Sequence, residues 1–186
     1  RLENQDKKFN EKVEAVDTRR AGKRADWDTK RDTRYDNLTE RADTDAKKQA
    51  VEAFEATIEA SVKTRRAAVD KAVSEFRLGL EGTLKSRQAG IETATTAFKH
   101  SVSAAVDKAK NDCAGDSDAQ NIRTTFRQSI QEARAQLKSD IQALEKMCDK
   151  RPALASTRNA AIDSAIGTFK TTTEKARADL KAAFGA

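Results

Sequence analysis

Arg65-Arg66-Ala67-Ala68-Val69-Asp70-Lys71-Ala72-Val73-Ser74-Glu75-Phe76 returns 22 residues later as Arg87-Gln88-Ala89-Gly90-Ile91-Glu92-Thr93-Ala94-Thr95-Thr96-Ala97-Phe98. The same step links Phe54 to Phe76 and Phe98, Ile58 to Leu80 and Val102, Val62 to Leu84 and Val106, and Val69 to Ile91 and Cys113. Twenty-two residues are two units of eleven, or six turns at about 3.67 residues per turn. A stripe kept in phase over that distance predicts a long amphipathic helix lying against other helices. A third copy of the motif, Arg158–Phe169, lies near the other end of the chain. Repeated helical units point to stacked or bundled helices rather than to one catalytic cleft.

Working outward, residues 46–112 read as one helix, about 100 Å long at 1.5 Å per residue. Its expected inward stripe includes Val51, Phe54, Ile58, Val62, Val69, Val73, Phe76, Leu80, Leu84, Ile91, Phe98, Val102 and Val106. Gly79, Gly82 and Gly90 are its weak points, each costing up to about 1 kcal/mol relative to Ala, and a hinge near Gly79–Gly82 is the alternative to continuity. The run Asn111–Asp118 reads as a turn, with Gly115 just past a helix and Asp116 or Ser117 capping the next. A helix over 117–148 follows, with Ile122, Phe126, Ile130, Leu137, Ile141 and Leu144 on one face. Pro152 suits the first turn of a last helix over 152–184 carrying Leu154, Ile162, Ile166, Phe169, Leu180 and Phe184. Upstream, residues 1–45 form a charge-dense helical arm. Its thin stripe runs through Leu2, Phe9, Val13 and Val16 and then Trp27, Tyr35, Leu38 and Ala42, and Thr44 or Asp43 is placed to cap the long helix. The expected fold class is all-α: an elongated coiled-coil or helical bundle with one very long hendecad-repeat helix and two shorter antiparallel helices. Its divisions are the arm over 1–45 and the bundle over 46–186.

Composition agrees. Charged residues make up 35% and aromatics 5% of 186 residues, with one Pro, the profile of long helices rather than of a large globular core. Lys and Arg number 36 against 30 Asp and Glu, a net charge of +6. In residues 1–45 the signs balance at 12 each and alternate along the chain. Such mixing reads as a solvated helix surface and argues against nucleic acid as the partner. No apolar run reaches the 18–20 residues that a membrane span needs. The chain starts at Arg1 rather than Met, as a processed or partial product would.

Several stretches resemble a known group. They are Lys30-Arg31-Asp32-Thr33-Arg34-Tyr35-Asp36-Asn37-Leu38, Asp45-Ala46-Lys47-Lys48-Gln49-Ala50-Val51-Glu52-Ala53-Phe54, the block Arg66–Ala72, its late copy Thr157–Ile162, and Asp112-Cys113-Ala114. Together they are similar to uncharacterised, exported, Ala/Lys/Arg-rich coiled-coil proteins of the ultra-small bacteria of the candidate phyla radiation. The resemblance spans residues 20–184. It implies an extracytoplasmic helical protein, located outside the cell or at its surface, and supplies no activity.

Little in the chain suggests chemistry. His100 is the one histidine and is expected on the polar side of the stripe. Cys113 and Cys148 lack the spacing of a zinc site. Gly79-Leu80-Glu81-Gly82 lacks the Lys-Ser/Thr of a phosphate loop. No catalytic, cofactor-binding or metal-ligating residue is assigned, and neither cofactor nor small-molecule substrate is expected. The two cysteines are disulfide candidates. A straight helix between them would hold them about 45 Å apart, far beyond the roughly 7 Å that a disulfide spans, so a bridge between chains is favoured over one within it. Free thiols, with Cys113 facing the core, are the alternative. Phe9, Trp27, Arg31, Tyr35, Leu38, Phe54 and Ile58 are the interface candidates, because aromatic and Arg side chains anchor protein contacts, and a second subunit is expected to cover Phe54 and Ile58. The reading is a structural, self-assembling fibre subunit. A coiled-coil adaptor and a peripheral lipid-binding helix are the alternatives.

Overall fold

The computed structural model describes residues 2–115 and 117–185, and side chains from Glu11 onward. The side chain of Phe9, an interface candidate, and Asp116 as a helix cap therefore lie outside what is described. Four helices hold nearly all of the described chain: α1 (Leu2–Glu40), α2 (Asp45–Ala114), α3 (Ala119–Ala143) and α4 (Met147–Phe184), with no strand among the described residues. The chain is all-α, and α2 runs without interruption through Gly79, Gly82 and Gly90.

The turns follow local chemistry, with tertiary corrections. Thr44 caps α2, its Oγ1 accepting from the Lys47 N–H at 3.3 Å, while Asp43 pairs with Lys47 at 2.8 Å. α3 is capped by Asp118, whose side chain accepts from the Asn121 N–H at 2.9 Å, and not by Ser117. The break before α4 falls at Leu144–Lys146, several residues earlier than Pro152 suggests, and Pro152 lies inside α4. The reason is nonlocal: Arg87 of α2 donates to the Leu144 carbonyl at 3.0 Å, satisfying an orphan acceptor at the end of α3 that Pro152 has no means to reach.

The chain divides into two compact units. The first comprises residues 1–66 and 166–186, that is α1 with the beginning of α2 and the end of α4. Tyr35, Ile58, Val62 and Ala176 form its core, with Phe54 and Phe169 packed against them. Both α1 and α4 run antiparallel to α2 here, as shown by Tyr35 against Phe54, Asp28 against Arg66, and Lys47 against Phe184. The expectation of a second subunit over Phe54 and Ile58 is corrected: the arm folds back, and α1 and α4 of the same chain cover them.

The second unit, residues 67–165, combines the rest of α2, all of α3 and the beginning of α4. Its most buried side chains are small. Ala72, Thr83, Ala94 and Ala105 of α2 are all at most 9% exposed and stand eleven residues apart, and Ala133 of α3 joins them at 7%. Leu84 and Ile91, expected in the core, are 37% and 36% exposed, and Ile166 of the first unit, expected there too, is 42% exposed. Small side chains let helix axes approach closely, and the bulky ones beside them are pushed to the flanks of the contact. At Gly90 the approach is so close that a Cβ would lie 2.5 Å from Leu144 Cδ2; at Gly79 it would lie 2.7 Å from Leu154 Cδ2.

Candidate functional site

The densest set of interacting polar side chains lies in the first unit, where α1 meets α2. Inward-facing positions of α1 recur at steps of three and four: Val13, Asp17, Arg20, Arg24, Asp28, Arg31, Tyr35 and Leu38. Most are charged, so α1 docks through ion pairs together with the core contact of Tyr35, and not through a continuous apolar stripe. Arg31 donates from Nε and Nη2 to the two carboxylate oxygens of Glu59, the second bond at 3.1 Å. It also pairs with Asp28 at 2.7 Å. Arg66 grips Asp28 with both terminal nitrogens, at 2.9 and 2.6 Å, and reaches the Arg24 carbonyl at 3.3 Å. The Tyr35 hydroxyl donates to Glu59 Oε1 at 3.1 Å. The result is an alternating ladder Glu59–Arg31–Asp28–Arg66 with two forked guanidinium–carboxylate contacts, the geometry that gives charge pairs their specificity. Arg66 Nε is buried without a hydrogen-bond partner, and the two short bonds from its terminal nitrogens offset that loss.

Electrostatics follow from the ladder. Hydrogen bonding to the Arg66 guanidinium holds the Asp28 carboxyl down at about 2, against the opposing effect of burial. Glu59 is likewise held below the usual carboxylate range, chiefly by Arg31. Burial, and then the hydrogen bond to Glu59, pushes the Tyr35 phenol up to about 12. Both carboxylates are thus fixed as anions by permanent cations at neutral pH. Neither is poised to trade a proton, which general acid–base work requires. The arrangement fixes the register of two helices.

A second device uses the repeated motif. In the first unit Arg65 stacks over Phe169, its guanidinium carbon 4.0 Å from the ring centroid. In the second, Arg158 stacks over Phe76 at 4.6 Å. The copies at 65–76 and 158–169 therefore exchange arginines, each covering the aromatic of the other, a favourable cation–π contact. Arg87 of the middle copy has a different task, the carbonyl contact at the end of α3.

The remaining candidates separate. Arg31, Tyr35 and Ile58 are taken up by contacts within the chain, and Leu38 and Phe54 are half-buried. Trp27 is 59% exposed, with Lys30 Nζ 5.5 Å from its ring centroid. Its place on the Tyr35 stripe is corrected: eight residues put it about 80° round the helix from Tyr35. Val16, 52% exposed, leaves the stripe as well. Cys113 and Cys148 are free and exposed, so neither is bridged within the chain and Cys113 does not face the core. His100 is exposed. No group of metal-ligating side chains occurs among the described residues, and no described helix is long and apolar enough to cross a membrane. Asp28, Glu59 and Arg66 are absent from the sequence candidates because alternating charges on a helix read as solvated surface. The steps of three and four through Arg24, Asp28, Arg31 and Tyr35 were the signal. Compared with known proteins, the chain matches no family model, no curated protein and no solved structure.

Proposed function

We propose that this chain is a structural, self-assembling helical protein, the subunit of a fibre at the cell exterior, built as a coiled coil on an eleven-residue repeat. The observation that carries the reading is the exchange of arginines between motif copies: Arg65 on Phe169 and Arg158 on Phe76. The repeat is a unit that binds another copy of itself, and its charged and aromatic side chains serve helix-to-helix contact. The eleven-residue recurrence of buried small residues from Ala72 to Ala105 supports the same reading, because that period keeps one seam facing its partners over many turns. The resemblance to exported coiled-coil proteins supports the location. In such an assembly the exposed thiols of Cys113 and Cys148 cross-link neighbouring subunits. Electron microscopy and sedimentation of the purified full-length chain test the proposal. Fibres or concentration-dependent oligomers are expected, with a non-reducing gel ladder that reductant collapses. Particles that stay monomeric at all concentrations would favour the adaptor reading.

A further inference from the structure

The alternating signs of α1 sort by side once the chain is wound as a helix. About 100° of rotation per residue places Lys12, Arg19, Lys23, Lys30 and Arg34 on one flank of the inward-facing ladder, around Val16 and Trp27, with Asp26 at the margin and Arg41 in the turn just past the end of α1. Glu11, Glu14, Asp32, Asp36 and Glu40 fall on the opposite flank, interrupted by the small residues Ala21, Ala25 and Thr29. All of these charged side chains are exposed. None has an ion-pair partner among the described residues, and the Lys30 ammonium has only the Trp27 ring. Like charges stand four apart at Arg19/Lys23, Lys30/Arg34, Asp32/Asp36 and Asp36/Glu40. Such spacing disfavours an isolated helix. A solvated helix gains more from mixing the signs on each face, so the segregation calls for outside counter-charge.

We infer that the occupant is a second copy of this chain, its acidic α1 flank seated antiparallel on the basic α1 flank of the first. The inference rests on the self-assembly reading above and names its contact. The two flanks match in one register. With the helices antiparallel, Arg41 meets Glu11, Arg34 meets Glu14, Arg19 meets Asp32, and Lys12 meets Asp36 or Glu40. The same register sets Trp27 against Ala25 and its small neighbours, where a flat ring fits and no charge is buried. Trp27 supplies the desolvated anchor and the charges set orientation. Because each copy has one basic and one acidic flank, the contact is heterologous: it leaves a free flank of each sign at every step and propagates into a ring or an open filament. A polyanion is a poorer fit, since five basic side chains on one flank, six with Arg41 of the turn, are balanced by five acidic ones on the other and the helix as a whole exerts little net pull. Two apolar residues on the flank are too few for a lipid surface.

Charge reversal tests the seam in the full-length chain. One variant carries Lys12→Glu, Arg19→Glu and Arg34→Glu; another carries Glu14→Lys, Asp32→Lys and Asp36→Lys. All six positions are exposed, so helicity by circular dichroism is expected to stay at the wild-type level. In sedimentation velocity at low salt, wild type associates, and each variant alone loses association by at least about tenfold. An equimolar mixture of the two regains it, because every reversed flank again meets its opposite. The pair Arg34→Glu with Glu14→Arg in one chain likewise restores what either single change loses. If wild type associates and the variants do so equally, or their mixture stays dissociated, the α1 seam is wrong while self-assembly stands. If wild type remains monomeric throughout, the self-assembly reading fails and the seam with it. If the basic-flank variant loses binding to duplex DNA or acidic vesicles while its association is unchanged, the flank serves a polyanion and the inference is overturned.

Discussion

At the scale of single residues, paired charges and stacked guanidinium groups orient the helices of this chain around its buried apolar contacts. Arg158 over Phe76 is one such pair. Replacing Arg158 with Met and Phe76 with Leu, singly and together, should show non-additive losses, with a coupling of about 0.5–1 kcal/mol, measured by denaturant unfolding. Strict additivity would mean that the stacking contributes nothing. Asp28 makes a pH prediction. Its folded-state pKa, about 2, lies below the ordinary value of 3.8. The stability it supplies is therefore present above about pH 4 and is lost as pH falls from there to about 2. Tyr35 acts at the other end: with its pKa raised from 10.0 to about 12, its contribution holds below about pH 10 and is lost as pH rises through 12. Asp28→Asn should flatten the acid limb of a stability–pH curve and leave the alkaline limb in place.

At the scale of helices, α2 shows why spacing alone misplaces a core. The 22-residue rows of Phe, Leu and Ile mark the correct side of the helix, yet the innermost positions belong to Ala72, Thr83, Ala94 and Ala105. Ala94→Leu should cost about 1–3 kcal/mol by overpacking, whereas Ala89→Leu, on the exposed face, should change stability by less than about 0.5 kcal/mol; thermal melts of the two compare them directly. The glycines divide in the same way. Gly82 has nothing within 4 Å of an added Cβ, so Gly82→Ala should stabilise α2 by about 0.5–1 kcal/mol. At Gly90 the new methyl would meet Leu144 Cδ2 at 2.5 Å. Gly90→Ala should therefore yield no gain, or a loss, as Leu144 shifts. Equal gains at both sites would show that Leu144 does not approach as closely as 2.5 Å implies.

At the scale of the whole molecule, the two units rest on different physics. The first ties α1 down with Arg31–Glu59 and Arg66–Asp28. The second is held by close-packed small residues such as Ala94, Ala105 and Ala133. Salt weakens charge pairs at partly exposed sites and leaves apolar burial intact. Raising ionic strength from about 0.05 to 1 M should thus speed amide hydrogen exchange in α1 around Arg24–Tyr35, with α3 unchanged or slower. Parallel responses in α1 and α3 would contradict that division.

Helix class, the continuity of α2, a cap at Thr44 or Asp43 and the exposure of His100 were legible from residues alone, because periodicity, capping and the scarcity of breakers act within a few turns of chain. So was the motif at 65–76, 87–98 and 158–169. What the motif does was not legible. Its arginines cover aromatics more than 80 residues away in sequence, and only the antiparallel pairing of α2 with α4 brings them together. The same holds for α1: a stripe of Asp17, Arg20, Arg24, Asp28 and Arg31 reads as solvated surface until Glu59 and Arg66 of another helix supply the opposite charges. The early end of α3 depends on Arg87 in the same way. Local sequence therefore determined which segments wind into helices. Tertiary contact decided which face of each is inside, because burial of small residues and pairing of charge depend on the neighbour that a helix meets.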